Sequence, residues 1–422
     1  MFGVVHALAA VSAVAAAPQV RGAVGPADTL RVAAAVSIAR EANPMLRAAR
    51  LQADAAAERV PQAGALPDPE LSFGLMNRMA GSLKSTMDPM TMNQVQLTQE
   101  FPWPGKLGFA KQRAQGLARA DRLDAEDTEL MLVARVKSVY YDLAYMDRAL
   151  SLMRASRDLL RDFAQVSQTM YAVGSGLQQD VLQAQVGVAR MTAEITAMAQ
   201  ERIAMAGRLN ALLGREVTVP ILALELSPPA DSLPGVDSLV ALALARRPRL
   251  QAARERASAA EAGYRGARRE LFPDVMVGMS YGQRPQFDDM ASLTVGVRLP
   301  LWAGRRQLPM RREMQAMQAM AEAEALDLTN ETFALLVEMR ADAEKSLNLA
   351  RLYATSILPQ ARGSVDAALA AYRVGRVDYL SLVENQMTVN RYDTESVRLI
   401  AAYHKAVADI AALVGTEIGG AP

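Results

Sequence analysis

Methionine is the residue type best suited to chemistry in this chain, whose 422 residues include 23 methionines and no cysteine. One group crowds the segment between the first two predicted strands: Met76, Met79, Met87, Met90 and Met92. A second group has the spacing of one helix face: Met310, Met314, Met317 and Met320. Thioether sulfur suits Cu(I), so the first group is a candidate weak metal site. Methionine is also a flexible filler of apolar surface, and that explanation stays open for both groups.

The rest of the composition excludes most catalytic chemistry. Because the chain has no cysteine and only two histidines, His6 and His404, it has no disulfide, thiolate nucleophile or Cys/His zinc site. We interpret His404 as a helix-surface residue. No convergent polar constellation is visible, so we expect neither an enzyme nor a cofactor. The 46 basic and 45 acidic residues nearly balance, and no basic stripe predicts a nucleic-acid partner.

The N-terminal segment is typical of a secretory signal. Residues 2 to 17 are apolar and end in Ala15-Ala16-Ala17, which has the small-x-small form of a signal-peptidase site. We predict a signal peptide over residues 1 to 20; an Ala-rich surface helix is the alternative. No later run of 18 or more apolar residues occurs, so any passage through a membrane must be made by strands.

The two halves of the chain carry one pattern, which predicts a duplicated unit. Matching segments occur in the same order: 38–46 with 242–250, 66–68 with 272–274, 101–106 with 299–305, 171–174 with 372–375, and 209–214 with 410–415. We therefore predict a first repeat over residues 29–215 and a second over residues 237–415. The proline-rich residues 216–236 form the segment between them.

Each repeat changes from helical to strand periodicity and back. Residues 29 to 65 and 237 to 271 each have the spacing of a helix. Alternating apolar and polar residues then predict strands at about 69–79, 93–101, 274–283 and 292–300. Long helical stretches follow, over residues 103–172 and 303–373, and Pro359 should kink the second of them. An ordinary antiparallel helical bundle would show the same helical periodicity.

The alternating segments decide between a soluble sheet and a membrane wall. Each is close to the ~10 residues that a tilted strand needs to cross a bilayer. The flanking helices are too long to fold back as a local cover, since 70 residues of helix extend ~100 Å. We therefore expect the apolar rows to face lipid and the polar rows, with Glu100 and Arg298, to face a water-filled lumen. Four strands cannot close a barrel, whereas three chains supply twelve.

These features resemble the TolC-like outer membrane efflux proteins over essentially all of residues 29 to 415. The resemblance rests on the duplication, the strand pair in each half and the Tyr-x-x-Gly tips, the first followed by Gln179, Val181, Leu182, Ala184 and Gln185. Residues 99–107 look like the heavy-metal-efflux branch. The implied fold is mainly α with a β-barrel part. Three copies of the helix–strand–strand–helix unit form a 12-stranded outer membrane barrel, continued by a long α-helical periplasmic barrel.

The resemblance also implies roles for particular residues. Acidic side chains near the helical tips would line the periplasmic gate, for which the candidates are Asp180, Glu384, Tyr372 and Ser381. Ser381 stands where many relatives carry a second acid, and we expect Tyr372 to hydrogen-bond Asp180. The adaptor-contact candidates at the tips are Gly174, Leu177, Gly375 and Val377. The alternatives are solvated helix-face charge for the acids and a turn requiring positive φ for the glycines. Trp103 and Trp302 follow strand ends, where aromatic residues mark the lipid interface.

The function implied by the resemblance is a passive trimeric conduit. Its partners would be outer membrane lipid, a periplasmic adaptor and an inner membrane pump of RND type, and it would export metal ions, drugs or other cargo. The protein would lie in the outer membrane of a Gram-negative-type bacterium and extend into the periplasm. Two alternatives stay open: the outer membrane component of a one-step protein secretion system, and a periplasmic helical scaffold or adaptor. The scaffold would normally contain a densely stranded domain, which the pattern lacks.

Overall fold

The computed structural model describes residues 30–78, 89–230, 232–285, 287–374 and 376–418. The predicted signal peptide and three residues of the predicted sites, Met79, Met87 and Gly375, lie outside these residues. The described helices are α1 (Val32–Ala42), α2 (Pro44–Gly64), α3 (Lys106–Ala172), α4 (Gln178–Leu212), α5 (Val236–Arg246), α6 (Pro248–Arg269), α7 (Gln307–Leu352), α8 (Leu358–Arg373) and α9 (Tyr379–Val414). The described strands are β1 (Glu70–Met76), β2 (Met92–Phe101), β3 (Asp274–Gln283) and β4 (Met290–Arg298).

The first helical stretch of each repeat is two helices, where the spacing predicted one. The break falls at Asn43-Pro44 in the first repeat and at Arg247-Pro248 in the second. Proline disfavours helical dihedrals in the residue before it, and both preceding residues are extended, with ψ of 122° and 115°. Asn43 caps the new helix, since its Oδ1 accepts from the amide of Met45 at 2.9 Å.

The longest helix, α3, is the element around which the others pack. It has 67 residues and contacts α2, α4, α6 and α9. Its buried side chains include Val136, Leu143 and Leu150, which recur every seven residues, with alanines between them. Seven-residue spacing keeps one apolar stripe facing its neighbours over a long distance, so the helices pack along their length.

The second long helix is interrupted just before Pro359. A π-helical segment, Tyr353–Ile357, joins α7 to α8, and Pro359 lies in the first turn of α8. Proline provides no amide hydrogen for the carbonyl four residues earlier, which lies inside this segment. The helix thus changes its hydrogen-bonding pattern at this point, and the distortion begins upstream of the proline at which a kink was predicted.

The four described strands form one antiparallel sheet in the order β1-β2-β3-β4. The hairpins of the two repeats therefore lie side by side, with β2 of the first paired to β3 of the second. Strands β1 and β4 are the edges of the sheet. Among the helices in the described ranges, none combines the length and the apolar character needed to cross a membrane.

The repeated glycines at the ends of α4 and α9 have a shared structural cause. Gly214 and Gly415 adopt φ of +63° and +74°. A Cβ atom would lie 2.6 Å from the carbonyl oxygen of Ala42 at position 214, and 2.7 Å from that of Arg246 at position 415. Both glycines allow a helix end to approach the backbone of its own repeat's first helix, which explains why the motif occurs twice.

His404 is buried, so its interpretation as a helix-surface residue is wrong. Its exposed fraction is 8%, and its ring stacks on Tyr141 with centroids 4.6 Å apart. Nε2 lies 2.9 Å from the carbonyl oxygen of Ser227, to which it donates. Ser227 belongs to the segment between the repeats, so the burial of His404 depends on where that distant segment packs.

Candidate functional site

The sheet has one polar face, built from alternate residues of all four strands. Two rows illustrate it: Ser72, Gln96, Ser280 and Ser292, then Glu70, Thr98, Gly278 and Thr294. Near the helical end, Arg298 Nη1 donates to Glu100 Oε1 at 2.6 Å across β3. The structure therefore places the two predicted lumen residues together on this polar face, where their opposite charges neutralise each other.

The opposite face of the sheet is an exposed apolar surface. One row crosses it through Leu71, Leu97, Met279 and Leu293, and their exposed fractions are 71%, 49%, 65% and 70%. Phe73, Tyr281, Val295 and Val297 extend it. An apolar patch of this size on one chain marks a surface that contacts lipid or another protein.

A polar joint connects the sheet to the helices. Lys106, at the start of α3, places Nζ 2.9 Å from an oxygen of Asp274 and 3.2 Å from one of Glu270. The amide of Trp103 donates to Asp274 Oδ1 at 2.7 Å, and the Trp103 ring stacks on Phe272 at 5.3 Å. The two predicted interface aromatics thus differ, because Trp302 is 75% exposed.

The helical tip of the first repeat is a glycine turn. Gly174 adopts φ of +74°, and the amides of Ser175 and Gly176 donate to the carbonyl of Met170 at 2.9 and 3.0 Å. Both bonds go to the carbonyl of Met170, in the last turn of α3, and the turn reverses the chain into α4. Leu177 follows with an exposed fraction of 65%. The positive φ that the turn requires therefore accounts for glycine at position 174, while the exposed Leu177 side chain offers an apolar contact surface.

At the second tip, Ser381 acts in helix capping. Asp378 is the N-cap residue of α9, and its Oδ1 accepts from the amide of Ser381 at 3.0 Å and from the Ser381 hydroxyl. These hydrogen bonds hold the pKa of Asp378 below its usual value. The acid of this tip thus lies at 378, which the sequence reasoning did not select, and Val377 beside it is 36% exposed.

Two buried tyrosines lie between the tips. Tyr372 and Tyr379 are 3% and 0% exposed, with rings 5.6 Å apart, and neither hydroxyl has a hydrogen-bond partner among the described residues. The expected hydrogen bond from Tyr372 to Asp180 is therefore not present within one chain. Burial raises the pKa of both tyrosines; the adjacent Ser167 side chain lowers that of Tyr372 in part, and the negative charge of Asp180 adds to the rise of both. Asp180 and Tyr372 thus lie close enough to interact electrostatically, although the hydroxyl itself is unpartnered.

Glu384 lines a surface groove between α4 and α9. The groove has a volume of about 890 Å³, and Leu182, Val186 and Met387 supply apolar walls while Arg190 provides a cation. The two helices touch at Gly187, where a Cβ would lie 3.6 Å from the Val383 side chain. Glu384 is exposed, so its carboxylate is available to solvent or to a partner.

The members of each predicted methionine group lie in different surroundings in the structure. Met76 and Met92 are paired residues of β1 and β2, while Met90 is 55% exposed in the connection. In the second group, Met310 and Met314 line a cavity between α3, α6 and α7, whereas Met317 and Met320 are 39% and 51% exposed. The helical methionines therefore act partly as packing residues.

Sequence reasoning missed two groups at these sites. Lys106 and Asp274 meet although they are far apart in sequence, and the Pro-Asp motif that contains Asp274 indicates only the repeat. Tyr379, next to the predicted Tyr372, is the most buried ring of the tip. Alignment of the two repeats predicts neither contact. The Lys106–Asp274 contact joins residues of different repeats, and the Tyr372–Tyr379 contact depends on how the helices pack.

A two-faced sheet continued by long helical hairpins defines the protomer of a TolC-like channel, mainly α with a β-barrel part, as the sequence predicted. The family model described as "Outer membrane efflux protein" matches residues 35–215 and 239–416, which together are most of the chain. The chain therefore belongs to the outer membrane efflux protein family. Members of this family are transport conduits. The resemblance is confirmed for the family, and the heavy-metal branch stays a prediction.

Individual relatives agree with this assignment. The chain is 25% identical over 395 residues to the "Pyoverdine export outer membrane protein OpmQ" of Pseudomonas putida, covering 86% of this chain and 81% of that one. The crystal structure of VceC from Vibrio cholerae superposes with a TM-score of 0.78 at 18% identity, covering 91% of this chain and 96% of that one. The open-state MtrE channel of Neisseria gonorrhoeae gives 0.77 at 16% identity, covering 92% and 89%. At such low identities the solved structures support the fold.

Proposed function

We propose that three copies of this chain form an outer membrane export channel. In each copy, β1 to β4 contribute one third of a twelve-stranded barrel, and the helices extend the conduit into the periplasm. The channel is passive. It receives cargo from a periplasmic adaptor and an inner membrane pump, for which we propose the RND type.

The observation that carries this proposal is the two-faced sheet with open edges. Its apolar face is exposed along its whole width, while the residues on the other face are mostly polar or small. Unpaired edges and an uncovered apolar face are unfavourable in water. Pairing β1 of one copy with β4 of the next removes the edges, and lipid covers the apolar face.

The helical tips support a second part of the proposal, in which the end of the tunnel farthest from the barrel is the gate and the adaptor-docking region. Asp180 and Asp378 place carboxylates at the two turns of each copy, so three copies bring six carboxylates to one end of the tunnel. Leu177, Val377 and the groove between α4 and α9 provide apolar surface beside them. Such a surface suits the apolar face of a helical hairpin from an adaptor.

The cargo is proposed as small solutes delivered by the pump, with metal ions among them. The relative OpmQ is named for the export of pyoverdine, which agrees with a conduit for small molecules. The polar face contributes serine, threonine, glutamine and glycine, and its charged residues are Glu70, Glu100, Asp274 and Arg298. Arg298 neutralises Glu100 and Lys106 pairs with Asp274, which leaves a small acidic excess at Glu70. A hydrated lumen with such a wall suits polar solutes, cations among them.

The experiment is to purify the full chain from outer membranes in detergent and to insert it into planar lipid bilayers. We expect a trimer on unheated gels and stepwise ion currents in the bilayer. A freely water-soluble monomer without channel activity would overturn the proposal. A heat-denatured sample is the matched control, since it contains the same polypeptide without the barrel.

A further inference from the structure

The polar face of the sheet carries apolar side chains of one type only. Within β1 to β4, the apolar residues on this face are Met76, Met92, Met276 and Met290, and the others are polar, charged or glycine. Every leucine, valine and phenylalanine of the four strands lies on the opposite face. Filling apolar space does not explain this selection, because a face that lines water needs no filler and any aliphatic residue would fill equally well.

Three of these methionines lie at the end of the sheet farthest from the helices. Met76 pairs with Met92, and Met290 pairs with Gly282 on the neighbouring strand. The side chain of Met92 extends across Gly282, since a Cβ at that glycine would lie 2.5 Å from the Met92 sulfur. Gly282 therefore leaves room for the Met92 thioether to lie over β3, next to the strand that carries Met290.

We propose that Met92 and Met290, with Met76 beside them, form a thioether site for a soft monovalent cation, Cu(I) or Ag(I), on the channel wall. Neutral sulfur ligands prefer such ions over hard cations such as Mg²⁺. The Met92 sulfur lies close to where a Cβ of Gly282 would be, and Gly282 is directly opposite Met290. Residues directly opposite on neighbouring strands have Cβ atoms ~5 Å apart, so the Met92 sulfur lies within reach of the Met290 thioether, and Met76 is directly opposite Met92. The inference rests on the proposed function, because it requires that this face line the lumen.

The site would act as a transient contact for ions leaving the barrel. In a trimer, three such sites would surround the outer end of the lumen. Thioethers bind without a counter-charge, so an ion can leave one site for the next without breaking a strong ion pair. Met276, near Arg298 at the helical end, lies apart from this group.

The test is an Ag(I) titration of the purified full-length trimer, using silver nitrate in chloride-free buffer and measuring bound silver by mass spectrometry after desalting. The variant Met76→Leu/Met92→Leu/Met290→Leu removes the sulfur and keeps side-chain size. Gly282→Ala keeps every sulfur but displaces that of Met92. Met279→Leu is the matched control, since Met279 lies on the apolar face of the same strand as Gly282.

We expect the triple variant to lose affinity by roughly tenfold or more, which is about 1.4 kcal/mol, and Gly282→Ala to lose affinity in the same direction. Met279→Leu should bind as the wild type does. Equal silver binding by the wild type and the triple variant would overturn the site, as would an equal loss in Met279→Leu. Bilayer currents recorded without silver separate the two proposals. If currents are present but silver does not bind, only the metal site is refuted. If currents are absent, the channel itself is refuted.

Discussion

Two adjacent residues of β4 allow the orientation of the sheet to be tested with one substitution type. Leu293 lies on the apolar face, in the row with Leu71, Leu97 and Met279. Ser292 lies on the polar face, in the row with three other uncharged polar residues. Leu293→Arg and Ser292→Arg therefore place the same side chain one residue apart on opposite sides of the wall.

The expected magnitude follows from the position of the row. Leu293 is near the middle of β4 (Met290–Arg298), and therefore near the middle of the bilayer in the proposed orientation. An arginine facing lipid at the midplane destabilises a barrel by about 2–4 kcal/mol per chain. This corresponds to a factor of roughly 30 to 1,000 in an equilibrium constant, and it applies to each of three copies. At Ser292 the guanidinium stays in water, so we expect little loss.

The assay combines assembly with ion selectivity. We expect Leu293→Arg to reduce the trimer recovered from outer membranes on unheated gels. Ser292→Arg should assemble as the wild type does and shift the reversal potential toward anions, because each copy adds a positive charge to the lumen. Equal assembly of both variants, or failure of Ser292→Arg alone, would refute the assignment of the faces.

Three further predictions concern the helices. Gly174→Ala and Gly415→Ala both place alanine at φ +74°, a cost of about 1–2 kcal/mol, but only the second brings a Cβ within 2.7 Å of the Arg246 carbonyl oxygen. Urea unfolding should show the larger loss for Gly415→Ala, and equal losses would contradict the packing. Burial lowers the pKa of His404, so the unfolded chain binds a proton at higher pH than the folded chain does. Stability should therefore fall below about pH 6.5 in the wild type and fall less in His404→Gln, and the urea midpoints at pH 7.5 and 5.5 measure the difference. Parallel pH dependence of the two proteins would exclude the histidine as the cause. Asp180→Ala should raise single-channel conductance and lower cation preference in bilayers, because it removes three carboxylates from the gate; unchanged currents would count against that role.

The sequence predicted those features that depend on the regular spacing of residues along one strand or one helix. Alternation with a period of two placed Leu293 and Ser292 on opposite faces, and the repeated Tyr-x-x-Gly motif placed the ends of α3 and α8. The same patterns, with the family resemblance, predicted the fold class, because strand and helix periodicities report which residues share a face.

The features that it did not predict depend on contacts between distant segments. His404 is buried because Ser227 and its neighbours pack over it, and nothing near position 404 indicates that cover. The breaks at Pro44 and Pro248 could have been predicted, since each proline restricts the residue before it. The Lys106–Asp274 contact could not, because it joins the two repeats.

Disulfide cross-linking between the sheet edges tests the central claim most directly, because the natural chain contains no cysteine. Ser72→Cys on β1 is combined in turn with a cysteine at Ser292, Thr294 or Gly296 on β4, so that several registers are sampled. Ser72→Cys with Gln96→Cys is the control, since these residues are paired within one chain. We predict that oxidation of at least one β1–β4 combination gives covalent dimers and trimers and nothing larger, while the control stays monomeric. Absence of cross-links in every register, or a ladder that continues beyond the trimer, would contradict a closed three-chain barrel.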